Sequence, residues 1–167
     1  MDTTDVLDVV RPLSQRLMTL GWRMATAESC TGGLIAAACT ELAGSSVWFE
    51  RGLVTYSNEA KTELLDVDAD LIAAHGAVSE PVARAMAQGA LHRARSDVAV
   101  AVTGIAGPGG GSVDKPVGTV WIAWADRHGQ LTSVRHVFKG DRASVRAQTC
   151  RAALEGLRDV LPVARLP

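Results

Sequence analysis

Two apolar stretches of the chain, DVAVAVTGI at residues 97–105 and VGTVWIAWA at residues 117–125, constrain the fold more than any other feature. Strands with one solvated face alternate apolar and polar residues, whereas these stretches are apolar almost throughout, as in strands covered on both faces. Neither approaches the roughly 18 residues that a membrane-spanning helix needs. The two stretches therefore predict central strands of a sheet that carries helices on both sides.

The remaining segments read as alternating helices and strands. Predicted helices cover residues 5–20, 30–42, 58–65, 79–95 and 141–161, and further predicted strands cover residues 22–27, 49–57 and 131–138. Gly21 is expected to end the first helix, and Asn58 and Asp141 are expected to cap two later ones. We predict an α/β fold, a three-layer α/β/α sandwich with a mixed, mainly parallel sheet, in which only the turn DRHGQ joins antiparallel strands. Residues 1–167 are expected to form one domain.

Composition argues against several classes of protein. The 17 basic and 18 acidic residues are scattered and give a net charge of -1, which offers no basic surface to nucleic acid or to an anionic membrane. The three cysteines, Cys30, Cys39 and Cys150, show no CxxC spacing and suit a reducing compartment better than a disulfide framework or a zinc site. The acidic start MDTTDVLDVV does not resemble a signal peptide. We expect a cytoplasmic protein without metal or cofactor.

The stretch ATAESCTGG places two possible nucleophiles side by side at the junction of a strand and a helix. Ser29 would lie where unpaired backbone N–H groups can hold an oxyanion, and Gly32 and Gly33 would let a substrate approach the backbone. On position alone, Ser29 could equally be a helix cap. Cys30 is intrinsically the better nucleophile but is also a common core residue. These alternatives stay open from position alone.

A serine nucleophile needs a base, and the stretch TYSNEAK offers Lys61. In the first turn of a helix, the positive end of the helix dipole would lower the pKa of Lys61, and partial burial would lower it further. Tyr56 could relay the proton or orient the substrate. Without other information, a solvated Lys61 and a packed Tyr56 are favoured. His75 is a rival base, although no aspartate is visible to orient it.

The stretch TGIAGPGGGS follows a central strand and cannot form regular structure. Glycine-rich turns at such positions expose N–H groups suited to a phosphate or a carboxylate. Arg142 would lie at a helix N-terminus, where a basic side chain is better placed beside an anion, and Arg146 follows one turn later on the same face. A solvated helix face is the alternative for both arginines.

Five blocks taken together carry a resemblance to a known family: AESCTGG, GSSVWFERGLVTYSNEAK, HGAVSEPVA, TGIAGPGGGSVDKPVGTV and KGDR. In this order they resemble the C-terminal domain of the competence-damage-inducible CinA proteins, over about residues 10–160. The resemblance implies a three-layer α/β/α domain that tends to form homo-oligomers, dimers or larger. It also implies an activity, because stand-alone members of the family hydrolyse the carboxamide of nicotinamide mononucleotide, a step in pyridine nucleotide recycling.

The resemblance assigns the nucleophile to Ser29, with Lys61 and Tyr56 beside it, and so favours a buried catalytic Lys61 over a solvated one. Backbone N–H groups after Ser29 are expected to hold the oxyanion. A nucleotide substrate also requires a phosphate site, which we expect at the glycine loop and Arg142. The predicted substrate-binding residues are Cys30, Thr31, Gly32, Gly33, Thr103, Gly104, Gly107, Gly109, Gly110 and Arg142.

Two alternatives remain at this stage. The same glycine loop and helix terminus could bind a nucleotide in a regulatory module that catalyses nothing. Cys30 could also replace Ser29 as the nucleophile, supported by Glu28 and Lys61.

Overall fold

The computed structural model describes residues 6–163, and over this range the chain forms one five-stranded sheet between two layers of helices. The strand order is β2-β1-β3-β4-β5. The strands are β1 (Met24–Glu28), β2 (Phe49–Val54), β3 (Val98–Gly104), β4 (Thr119–Asp126) and β5 (Leu131–Val137).

Six α-helices and one short 3₁₀ turn at Ser45–Val47 cover the sheet within the described range. One face carries α1, α2 and α6, and the other carries α3, α4 and α5. The helices are α1 (Leu7–Leu20), α2 (Leu34–Thr40), α3 (Asn58–Leu65), α4 (Ala69–His75), α5 (Glu80–Arg93) and α6 (Arg142–Val160). The predicted three-layer α/β/α sandwich with a mixed sheet is confirmed.

Strand direction differs from the prediction at one place. β1 pairs in parallel with β2 and with β3, whereas β4 is antiparallel to both β3 and β5. The glycine-rich segment between β3 and β4 contains no helix, so the chain reverses there instead of crossing over a face of the sheet. Parallel pairing is therefore confined to β2, β1 and β3, and the turn DRHGQ is not the only antiparallel connection.

The sheet has a separate hydrophobic core on each face. The first includes Leu13, Leu17 and Leu157, and the second includes Leu65 and Met86. β3 is buried up to Thr103 and β4 is buried at seven of its eight positions, as their apolar runs predict. Full burial of one such side chain contributes about 1.5–3 kcal/mol, so two cores of this kind hold the sheet between its layers.

Local signals account for most helix ends. Gly21 has φ +65° and ends α1, and the carboxylate of Asp141 accepts a 2.8 Å hydrogen bond from the Ser144 N–H at the start of α6, both as predicted. The cap of α3 is Ser57 rather than Asn58, because the Ser57 hydroxyl accepts from the Ala60 N–H at 3.0 Å. Asn58 is instead the first helical residue.

Register brings three strand ends together. Glu28 on β1 lies opposite Val54 on β2 and Val102 on β3. Because the three strands are parallel, the residues that follow them emerge at the same edge of the sheet. Ser29 and Thr103 therefore lie at one edge, next to the loop that leads into α3.

Candidate active site

Ser29 begins a turn rather than a helix. α2 starts at Leu34, and not at Cys30 or Thr31 as predicted, because Gly32 and Gly33 have φ values of +61° and +100°, which a right-handed helix cannot contain. The Gly32 N–H closes the turn on the Ser29 carbonyl oxygen at 3.0 Å. The Ser29 residue is 9% exposed, and it faces a cavity at the edge of the sheet.

The carboxylate of Glu28 holds the far side of this turn. It is fully buried and accepts five hydrogen bonds of 2.7–3.2 Å. The donors are two hydroxyls, of Thr26 and Thr31, and three backbone N–H groups, of Gly33, Ile35 and Ala36. These three N–H groups belong to the start of α2, so Glu28 already satisfies the helix terminus. The N–H groups at the start of α2 are therefore already occupied, and an oxyanion would have to be bound by other donors beside Ser29.

Two other backbone donors remain beside Ser29. Within residues 6–163, the N–H groups of Cys30 and Thr31 form no hydrogen bond with another residue. Backbone donors without partners are uncommon in folded proteins and are typical of sites that bind an anion or an oxyanion. The candidate oxyanion donors are therefore the first two N–H groups after the serine.

Lys61 is almost completely buried and reaches Ser29 from the other face of the sheet. Its Nζ atom lies 3.2 Å from the Ser29 Oγ and donates to the carbonyl oxygen of Thr55 at 3.0 Å. Longer hydrogen bonds of 3.4 Å join Nζ to the carbonyl oxygens of Tyr56 and Ser57. The residue is only 1% exposed, and backbone carbonyl oxygens surround much of the amine.

The surroundings of Lys61 shift its protonation equilibrium towards the uncharged amine. Burial lowers the pKa of Lys61 below the usual lysine value, and the negative charges of Cys30, when ionised, and Glu59 oppose this shift only in part. A neutral amine has a lone pair that can accept the Ser29 hydroxyl proton, while its N–H groups donate to backbone carbonyl oxygens. The geometry thus joins a hydroxyl to a potential base.

The surroundings of the neighbouring Cys30 thiol disfavour its reactive, ionised form. Cys30 is 6% exposed, and burial raises the pKa of its thiol to about 11. The nearby carboxylate of Glu28 contributes to this rise, and the Cys30 backbone N–H, Arg146 and Arg142 oppose it in part. At neutral pH the side chain is therefore a thiol and not the nucleophilic thiolate.

Tyr56 and Arg142 meet at the rim of the cavity. Tyr56 is 60% exposed, and its hydroxyl oxygen accepts a hydrogen bond of 2.9 Å from Arg142 Nη2. The other terminal nitrogen of Arg142 donates to the Gly107 carbonyl oxygen at 2.9 Å. Arg142 therefore links the loop before α3 to the glycine loop, above the buried Ser29 and Lys61.

The cavity has a volume of about 210 Å³. Of the predicted residues, Ser29, Cys30, Lys61, Tyr56, Thr103, Gly104 and Arg142 line it. Six predicted substrate-binding residues lie outside the lining: Thr31, Gly32, Gly33, Gly107, Gly109 and Gly110. The Thr31 hydroxyl and the N–H groups of Gly32 and Gly33 form hydrogen bonds within the turn, whereas the Thr31 N–H does not, and Gly109 and Gly110 lie on the exposed part of the glycine loop.

Sequence reasoning missed other lining residues, namely Asn58, Ala77, Val78 and Ala106. The Thr103 hydroxyl donates to the Ala77 carbonyl oxygen at 2.8 Å and so holds the α4–α5 loop against the cavity. Asn58 follows Tyr56 closely and was considered only as a cap, whereas the small apolar residues give no signal of their own. His75, the rival base, lines a separate surface cavity with Lys115 and Arg135.

The described residues contain neither a group of metal ligands nor a membrane-spanning helix. No three His, Cys, Asp or Glu side chains of residues 6–163 are grouped as metal ligands. None of the described helices combines the length and apolar character needed to cross a bilayer.

Fold and site define a class, an α/β domain with a buried serine and lysine at the edge of its sheet, and comparison with known proteins identifies the family. Residues 7–161 match the CinA C-terminal domain, and the chain belongs to this family. It is similar to the nicotinamide-nucleotide amidohydrolase PncC of Escherichia coli (strain K12), with 51% identity over 157 residues, covering 94% of this chain and 95% of that protein.

Two other similarities agree with this assignment. The nicotinamide-nucleotide amidohydrolase PncC of Enterobacter agglomerans is 55% identical over 139 residues, which cover 83% of this chain and 85% of the relative. The crystal structure of the competence/damage inducible protein CihA from Agrobacterium tumefaciens superposes with a TM-score of 0.90 at 48% identity, covering 92% of this chain and 93% of that one. The predicted family is confirmed.

Proposed function

We propose that this chain is an amidohydrolase that converts nicotinamide mononucleotide to nicotinic acid mononucleotide and ammonia. The observation that carries the proposal is the 3.2 Å approach of Lys61 Nζ to Ser29 Oγ, inside a cavity. The names of the curated relatives support the same reaction. In this role the enzyme would catalyse a step in pyridine nucleotide recycling.

In the first half of the reaction, Ser29 is acylated. Its hydroxyl oxygen attacks the carboxamide carbon while neutral Lys61 takes the hydroxyl proton. The carbonyl oxygen gains negative charge, which the N–H groups of Cys30 and Thr31 stabilise. The carbon–nitrogen bond then breaks, and the proton on Lys61 moves to the departing nitrogen, which leaves as ammonia. Lys61 is again neutral.

In the second half, water replaces ammonia. Lys61 accepts a proton from a water molecule that attacks the ester carbon, and the same two N–H groups stabilise the second tetrahedral intermediate. The bond between carbon and Ser29 Oγ breaks, and Oγ recovers its proton from Lys61. The product is an acid that ionises to the carboxylate.

The dimensions of the cavity fit one part of the substrate. About 210 Å³ is less than the roughly 300 Å³ or more of sites that enclose drug-sized ligands, so we place only the pyridine ring and its carboxamide inside. The ribose and phosphate then extend over the rim, where Arg142 is exposed and positively charged. Arg142 and the exposed Gly109 and Gly110 of the glycine loop are the proposed phosphate contacts.

The raised pKa of Cys30 argues against the alternative thiol nucleophile, because little thiolate would exist at neutral pH. A homo-oligomeric state, a cytoplasmic location and a single domain over residues 1–167 stay predictions.

The proposal is tested by measuring ammonia release from nicotinamide mononucleotide, free nicotinamide and the dinucleotide. We expect release from the mononucleotide, with a much lower kcat/KM for the free base, which lacks the phosphate. Tight nucleotide binding without ammonia release would instead support the regulatory module. Activity on the free base alone would contradict the proposed phosphate site at Arg142.

A further inference from the structure

We propose that Arg146 is a positioning residue that sets the direction of the oxyanion-binding N–H group of Thr31. The inference rests on the proposed amidohydrolase function and concerns a residue of α6 that does not line the cavity. Its basis is a pair of hydrogen bonds between this side chain and the turn that follows Ser29.

The guanidinium of Arg146 binds two successive carbonyl oxygens of the turn. Its Nε donates to the Cys30 carbonyl oxygen at 3.1 Å, and its Nη2 donates to the Thr31 carbonyl oxygen at 2.9 Å. The side chain is partly buried, and Nη2 also lies within 3.8 Å of the position that a Cβ on Gly32 would occupy. The planar guanidinium thus lies against the turn and holds two of its peptide groups at once.

Holding a carbonyl oxygen also fixes the N–H group of the same peptide. The Cys30 carbonyl and the Thr31 N–H belong to one planar trans peptide, in which they point in opposite directions. Arg146 approaches from the α6 face, so the Thr31 N–H points away from that face. Lys61 reaches Ser29 from the α3 face, which is the opposite one.

The neighbouring N–H group is fixed in the same manner by the turn itself. The Ser29 carbonyl oxygen accepts the Gly32 N–H at 3.0 Å, which orients the Cys30 N–H of that peptide. Each candidate oxyanion donor is therefore set by a hydrogen bond at the other end of its peptide, one from Gly32 and one from Arg146. The positive charge of Arg146 also polarises the Cys30–Thr31 peptide and strengthens its N–H as a donor.

These contacts distinguish Arg146 from Arg142, one turn earlier. Arg142 is exposed at the rim and bound to the Tyr56 hydroxyl, where a substrate phosphate can reach it. Arg146 donates to two backbone oxygens beneath the turn. Loss of Arg142 should therefore weaken substrate binding, whereas loss of Arg146 should weaken stabilisation of the transition state.

The test compares nicotinamide mononucleotide with its thiocarboxamide analogue, in which sulfur replaces the carbonyl oxygen. Sulfur accepts weaker hydrogen bonds than oxygen, so the analogue gains less from the oxyanion donors. Acylation of Ser29 releases ammonia from both substrates. The quantity measured is therefore kcat/KM for ammonia release, which reports the steps up to acylation. The variants are Arg146→Gln and, as a control on the same helix, Arg158→Gln, which removes a partly exposed arginine paired with Asp159.

We expect Arg146→Gln to lose about 10²-fold in kcat/KM on the carboxamide, as for a misaligned or lost oxyanion donor, and to lose a smaller factor on the thiocarboxamide. Arg158→Gln should leave both values unchanged. Equal losses on the two substrates would show a general structural role and overturn the proposal, as would unchanged kinetics. If thermal unfolding shows that Arg146→Gln does not fold, the two kcat/KM values are measured on Arg146→Lys instead. The same larger loss on the carboxamide is expected, since one ammonium cannot span both carbonyl oxygens.

The outcomes separate this inference from the proposed function. A wild-type protein without activity on either substrate overturns the amidohydrolase itself, and the positioning role with it. A wild-type protein that is active, with an unchanged ratio of the two kcat/KM values in the Arg146 variant, overturns only the role of Arg146.

Discussion

Arg142 donates a hydrogen bond of 2.9 Å to the hydroxyl oxygen of Tyr56, a residue 86 positions earlier in the chain. The contact joins the loop before α3 to the start of α6 across the mouth of the cavity. Among the hydrogen bonds of the described residues, the Tyr56 hydroxyl contacts Arg142 rather than Ser29 or Lys61. This arrangement favours the role of Tyr56 in orienting the substrate over its role as a proton relay.

Replacing Tyr56 by phenylalanine tests that choice. Removing the hydroxyl frees Arg142 from a hydrogen bond that helps to hold it over the cavity, so we expect KM for nicotinamide mononucleotide to rise about 10-fold with little change in kcat. Steady-state kinetics measure both. A Tyr56→Phe Arg142→Gln double variant should be no worse than Arg142→Gln alone, because the two residues act together. A fall in kcat with an altered pH profile would instead indicate a relay.

The identity of the nucleophile is tested by two adjacent substitutions of similar size. Ser29→Ala removes the attacking oxygen and should lower kcat by about 10³-fold or more. Cys30→Ala removes a buried thiol that is protonated at neutral pH, and should retain most of the activity. Thermal unfolding of both variants checks that the fold is intact. The reverse pattern of activities would assign the reaction to the thiol.

The pH dependence of the reaction should report the deprotonation of Lys61. Because burial lowers the pKa of Lys61, kcat/KM should rise with pH and reach a plateau. The midpoint of the rise should lie below the usual lysine value of 10.5. Lys61→Arg should be inactive at every pH, because a guanidinium does not release its proton. A profile that is flat through this range would contradict a lysine base.

The free energy of unfolding should also depend on the protonation of Lys61. The unfolded state holds the Lys61 proton up to about the usual lysine value, whereas the folded state releases it at lower pH. The free energy of unfolding should therefore rise with pH between the lowered pKa and 10.5, where the unfolded state binds more protons. In Lys61→Met this increase should be absent. Denaturant titrations of the two proteins across that pH range measure the difference.

The close contact between α3 and α5 gives a prediction about packing. A Cβ at Gly89, in the middle of α5, would overlap the carbonyl oxygen of Leu65 at the end of α3. Although alanine normally stabilises a helix interior relative to glycine, Gly89→Ala should cost about 1–3 kcal/mol by overpacking. The melting temperature should fall by about 2–4 °C for each kcal/mol in a chain of this size. Gln88→Ala, exposed on the same helix, is the control, and an increase in melting temperature for Gly89→Ala would contradict the packing argument.

Regular patterns made much of the fold predictable. The apolar runs of β3 and β4 indicated strands with two covered faces, and the glycine at position 21 marked the end of α1. The antiparallel pairing of β3 with β4 was missed because a loop without regular structure gives no indication of the direction in which the chain returns.

The site was less predictable because its contacts are long-range. Residue patterns alone favoured a solvated Lys61, and only the family resemblance placed it beside Ser29. Its burial depends on carbonyl oxygens of residues 55–57, which fold around the amine in three dimensions. The contacts of Arg146 with the turn span more than a hundred residues, and the capping of α2 by Glu28 depends on two glycines with positive φ.

The two hydrophobic cores have a consequence for inactivation. The turn after Ser29 is bound to the α6 side of the sheet, while Lys61 belongs to a helix that packs on the α5 side. A shift of one outer layer by about an ångström would separate the amine from the hydroxyl, and a displacement of that size can cost about 10²-fold in rate. Heating or mild denaturant should therefore abolish the enzymatic activity of this protein while it is still compact and helical.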